Sequence, residues 1–109
     1  MNIIMYNFDN VDAEELSEFS EKVNSSIYFA LSLSEVSGLL TSNKMEIAIL
    51  KILDDSEIAL LKAIIIGNPK TEFFVNNVDN LQNEYSAEPR IHISMTNYPL
   101  TKIAKQILN

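Results

Sequence analysis

The chain has 109 residues, 47% hydrophobic and 21% charged, which predicts one packed domain over residues 1–109 and excludes the disordered class. Acidic residues outnumber basic ones by 15 to 8, and the formal charge of −7 repels nucleic acid and anionic lipid, so direct nucleic-acid binding is not expected. The absence of cysteine removes disulfides, thiol nucleophiles and thiolate metal sites together, and with no signal-peptide pattern at the start it points to the cytoplasm.

In chain order, Ile3 to Phe8 is apolar and closed by the turn-favouring pair Asp9-Asn10, the pattern of a buried strand. In VDAEELSEFSEKV, Asp12 and Glu15 have capping-box spacing and Val11 and Leu16 that of a hydrophobic staple, which predicts a helix. Leu16, Phe19 and Val23 fall on one side of it and Glu14, Glu18 and Glu21 on the other, so one face packs and the other is acidic. A second strand follows in IYFALSL, where Ile27, Phe29, Leu31 and Leu33 alternate with Tyr28, Ala30 and Ser32. A loop through Gly38 then leads to Asn43, which repeats the capping-box spacing with Glu46. Met45, Ala48, Ile49, Ile52 and Leu53 recur at helical intervals, so a second helix is expected to end near Asp54 and Asp55.

Leu60 to Ile66 closes with three successive isoleucines before Gly67-Asn68-Pro69 and reads as a third, buried strand. PKTEFFVNNVDNL allows a third helix with Pro69 in its first turn, although TEFFV alone has strand character. RIHISMT alternates Ile91, Ile93 and Met95 with Arg90, His92, Ser94 and Thr96 as a fourth strand. LTKIAKQIL closes the pattern with a helical stripe of Leu100, Ile103, Ala104, Ile107 and Leu108. The expected fold is α/β in the order β-α-β-α-β-α-β-α, a four-stranded, mainly parallel sheet with alternating helices. Its loops would gather Asp9, Asn10, Thr41, Ser42, Asn43, Asn68, Thr96 and Asn97 at one sheet edge, where ligands and partners usually sit.

The segment LSLSEVSGLLTSN presents an L-x-L strand, a short apolar stretch and two hydroxyl residues ahead of the expected second helix. Upstream, FDNVDAEEL carries Asp9, Ala13 and Leu16 in the spacing L-D-x-x-x-A-x-x-L. In these features the chain resembles the STAS domain family, the fold of bacterial anti-sigma-factor antagonists. That family's Asp-Ser-Ser-Gly motif falls on Leu40, Thr41, Ser42 and Asn43, with Leu40 standing where the family has Asp. AIIIGNP, PKTEFFVNNVDNL and IHISM follow in the family's order. The resemblance implies a regulatory protein-binding module rather than an enzyme, with no cofactor, docking through Asp9, Asn10, Leu40, Thr41, Ser42, Asn43 and Lys44. Its implied partner is an anti-sigma kinase, a stress-signalling assembly or the ATPase of an ABC transporter, and a homodimer is compatible with it. Thr41, with Ser42 beside it, is the implied phospho-acceptor. A phosphate there would add nearly two negative charges at a helix amino terminus and weaken docking to a surface fitted to neutral Thr41.

The residues give no local catalytic set, and an enzyme reading rests on a carboxylate pair that folding would bring together from distant acids. His92 is the only histidine and has no cysteine beside which to ligate a metal, so a surface role is expected of it. Asp54 and Asp55 are adjacent, and neighbours on a helix do not face each other as an acid/base pair must. Gly38 and Gly67 are too far apart for a phosphate-cradling loop. Charges interrupt the apolar segments, so no membrane span is expected. The alternative function is an acidic inhibitor or immunity-type protein that blocks a basic enzyme such as a nuclease through Glu14, Glu18 and Glu21.

Overall fold

The computed structural model describes residues 1–8, 13–42, 45–76, 81, 84–94 and 99–108. Among them five strands are formed: β1 (Asn2–Tyr6), β2 (Ser26–Ala30), β3 (Ile47–Lys51), β4 (Glu72–Asn76) and β5 (Ile91–Ser94). Four α-helices accompany them: α1 (Ala13–Val23), α2 (Leu33–Ser42), α3 (Ile58–Gly67) and α4 (Leu100–Leu108). A single 3₁₀ turn, Asp55–Glu57, leads into α3.

All four strand pairings are parallel and the order is β2-β1-β3-β4-β5, a doubly wound sheet whose chain direction across the sheet reverses between β1 and β3. Phe19 and Val23 of α1 and Leu100, Ile103 and Ala104 of α4 pack on one face, against Ile3, Met5, Ile47, Ile49 and Phe74. Val36 and Leu40 of α2 and Leu61, Ile64 and Ile65 of α3 pack on the other, against Ile4, Ala48, Leu50, Phe73 and Val75. Because helices cover both faces, β1, β3 and β4 are apolar without alternation.

The α/β class and the parallel sheet are as expected; the strand count and four element assignments are not. The expected second helix from Asn43 to Leu53 contains β3 instead: an apolar run fits a helical stripe and a strand buried on both faces equally well. The expected third strand, Leu60 to Ile66, lies within α3, where Leu61, Ile64 and Ile65 bury one side and helix-helix and helix-sheet packing overrides the β preference of isoleucine. TEFFV, for which the sequence offers strand character beside the expected third helix, is β4, an interior strand between β3 and β5, and Thr71 Oγ1 donates to Met45 O at 3.1 Å to tie its start to the start of β3. Residues 77–80 of that expected helix lie outside the described residues. The loop expected through Gly38 is α2, and Leu33 begins it rather than ending a strand.

Candidate functional site

Of the residues expected to form a docking loop, Leu40, Thr41 and Ser42 lie among the described residues, and they close α2. Thr41 and Ser42 are the last residues of α2, not the start of a helix, and their hydroxyls donate to the backbone carbonyls of Ser37 at 2.8 Å and Gly38 at 2.7 Å. A helix joining parallel strands runs against them, so this end of α2 lies at the amino edge of the sheet. There Leu40, buried in the core, lines a groove with Met45 and Glu46 ahead of β3 and with Gly67 to Thr71 ahead of β4. Asn68, expected at the carboxyl edge, is at this amino edge too, its Nδ2 donating to Ile64 O at 2.8 Å. A phosphate on Thr41 would meet the negative end of the helix dipole, the reverse of the electrostatics its expected role requires. Asp9, Asn10, Asn43, Lys44, Thr96 and Asn97 lie outside the described residues.

Other singled-out residues have structural work. His92 Nε2 lies 2.6 Å from Glu72 Oε2, and its ring stacks on Phe74 with centroids 4.5 Å apart. Asp54 Oδ1 accepts the Ser56 N–H at 3.0 Å and caps the 3₁₀ turn, and that bond holds its carboxyl below the usual range. The acids read as the end of a helix therefore introduce one. Among the described residues no three His, Cys, Asp or Glu side chains converge as metal ligands do. No described helix is long and apolar enough to cross a membrane.

The feature that stands out is the free edge formed by β2. The Ser26 N–H donates to Met1 O at 3.1 Å, so by the alternation of a parallel ladder Ser26, Tyr28 and Ala30 turn their main-chain groups to β1. Ile27, Phe29 and Leu31 turn theirs outward. Glu35 meets one of these groups: its carboxylate accepts the Leu31 N–H at 3.3 Å, while its own N–H donates to Ser32 Oγ at 3.1 Å. The Ser32 hydroxyl thus caps α2, while the Glu35 carboxylate reaches one residue beyond the cap and ends the open edge at Leu31. Large apolar side chains surround the remaining groups, with Tyr28 42% exposed, Phe29 49% and Leu31 87%.

From Asn24 to Ser34 the chain carries no charged residue. Edge strands are normally protected from other chains by charge, proline or a bulge, and β2 pairs with β1 in unbroken register without any of them. The outer face of α3 also exposes Leu60 and Ile66, but a helix satisfies its main chain internally and offers only side chains. Comparison with known protein families, curated proteins and solved structures finds no match to this chain. The uncharged run was readable in the sequence; that it lies at a sheet edge was not, because strand order is set by packing.

Proposed function

We propose that this chain is a protein-docking module that accepts an extended segment of a partner along β2, with Phe29 and Leu31 as side-chain anchors. The observation that carries the reading is the coincidence, on one strand, of outward main-chain groups, exposed large apolar side chains and no charge. Strand addition uses such an edge directly: the partner's main chain completes the ladder, and its alternate side chains meet Tyr28 on one face and Phe29 on the other. The β2–α2 turn, fixed by the Ser32 cap and the Leu31–Glu35 bond, holds Leu31 at the end of the strip. This keeps the protein-binding class that the resemblance implies and moves the surface away from Thr41.

The test is affinity capture from cell extract with four baits: wild type, Phe29→Lys, Leu31→Lys and Thr41→Glu. A partner retained by wild type and by Thr41→Glu, and weakened at least about tenfold by each lysine variant, is the expected result. A partner held equally by all four would remove β2 from the docking surface. The acidic inhibitor reading draws on the exposure of Glu18 and Glu21 along α1. It requires affinity to collapse as salt is raised, whereas an apolar strand contact persists.

A further inference from the structure

The carboxyl edge of the sheet holds a second feature, unrelated to β2. Asn76, the last residue of β4, is fully buried, and neither Nδ2 nor Oδ1 has a hydrogen-bond partner among the described residues. Leaving an amide so placed forfeits its hydration with nothing in return, a penalty a purely structural position sheds by becoming leucine. Its neighbours in register are Lys51 of β3 on one side and Ser94 of β5 on the other. Side chains alternate along a strand, so Asn76 shares the face of Phe74, and Lys51 that of Ile49, which is the face covered by α1 and α4. Asn7 follows β1 in the left-handed region, φ 65°, and its Nδ2 donates to Lys51 O at 3.0 Å. That bond ties together the two strands between which the chain reverses direction, where doubly wound sheets open a crevice.

Lys51 is half-buried and pairs with no carboxylate among the described residues. Adjacent strands lie about 4.8 Å apart, so one small anion can accept from Lys51 Nζ and Asn76 Nδ2 at once. The amino end of α4 lies at this edge on the same face and carries no acidic residue in its first turn. The first turn of α1, by contrast, holds Glu14 and Glu15, which places the favourable potential toward α4.

We propose that this polar row is an oxyanion site, in which Lys51 and Asn76 bind the phosphate or carboxylate group of a small molecule. Lys51 is its half-open mouth and Asn76 its enclosed floor, and Oδ1 of Asn76 is left to accept from a hydroxyl on the same ligand. Inorganic phosphate and acetate serve as separate probes of the two oxyanion sources. Each is titrated into the ¹⁵N-labelled chain while the side-chain amide resonances of Asn76 are followed.

A saturable shift of that amide with either probe, weakened at least about tenfold in Lys51→Met, is the expected result, and the probe that binds identifies the oxyanion. No saturable shift with either probe, or an equal one in Lys51→Met, overturns the site. Asn76→Leu supplies a second measurement that needs no ligand. It is expected to raise the unfolding midpoint, because it removes two unsatisfied buried polar atoms at similar volume, and a lowered midpoint would show that Asn76 serves packing instead.

Discussion

Tyr6 ends β1, and its hydroxyl donates to Glu57 Oε2 at 2.6 Å, joining the first strand to the turn that introduces α3. The carboxylate accepts this proton and also repels a phenolate. Hydrogen bonding to Glu57 first, and burial second, therefore push the Tyr6 phenol above the usual tyrosine value. In the unfolded chain the phenol ionises first. The stability it contributes is thus intact below about pH 10 and is lost as pH rises through the higher folded value. Tyr6→Phe is expected to lose about 1 kcal/mol at neutral pH and to show a shallower decline above pH 10, measured by urea unfolding across a pH series. An alkaline decline as steep as that of wild type would assign the effect to Tyr85, whose phenol is also raised, chiefly by burial.

At the scale of the element, α2 carries an avoidable weakness. Gly38 sits mid-helix, and a Cβ added there meets nothing within 4 Å. Gly38→Ala is expected to stabilise the protein by about 1 kcal/mol, read as a higher urea midpoint at unchanged slope. A lower midpoint would mean that α2 is not helical at Gly38. The glycine also explains why α2 was hard to read, since it interrupts a sequence whose true start signal was present. Ser32 and Glu35 have capping-box spacing ahead of Leu33, Val36 and Leu40, which then bury one face. Asn43 and Glu46 have the same spacing, but Glu46 leads into β3. Spacing alone does not rank the two. The differences at β3 and α3 share one physical cause, which is that both are apolar at nearly every position, so that a helical stripe and a doubly buried strand fit the same residues. Elements with one wet face, α1 and α4, were legible for the opposite reason. The candidate residues follow their elements: Thr41 is expected ahead of a helix where the structure has β3, Phe29 lies in the strand expected for it, and Leu31, expected inside that strand, follows its end at Ala30, with nothing in the sequence to mark the strand as outermost.

At the scale of the whole molecule, the charge imbalance works against folding while the sheet interior stays nearly free of it. The strands hold only Lys51, Glu72 and half-buried His92 as titratable or charged groups apart from buried Tyr6 and exposed Tyr28. Most acids crowd α1, the 3₁₀ turn and the segment around Glu84 and Glu88. The molecule spans 32 × 29 × 26 Å. At 0.01 M salt the screening length is about 30 Å, so every acid feels every other; at 0.1 M it is about 10 Å and repulsion becomes local. Two surface ion pairs oppose this trend, Lys62 with Glu84 at 3.1 Å and Arg90 with Glu88 at 3.7 Å, but exposed pairs contribute only about 0–1 kcal/mol each. The unpaired excess outweighs them. The thermal midpoint is therefore expected to rise when sodium chloride goes from about 10 to 150 mM, and a fall would show that the local pairs dominate. The same screening bears on β2. Long-range repulsion keeps two copies apart at low salt, and its removal leaves an uncharged strand edge facing its like. Sedimentation at both salt levels separates the effects: a midpoint gain that survives in Phe29→Lys is intramolecular, whereas one that vanishes with that variant, together with a faster-sedimenting species, comes from copies pairing through β2.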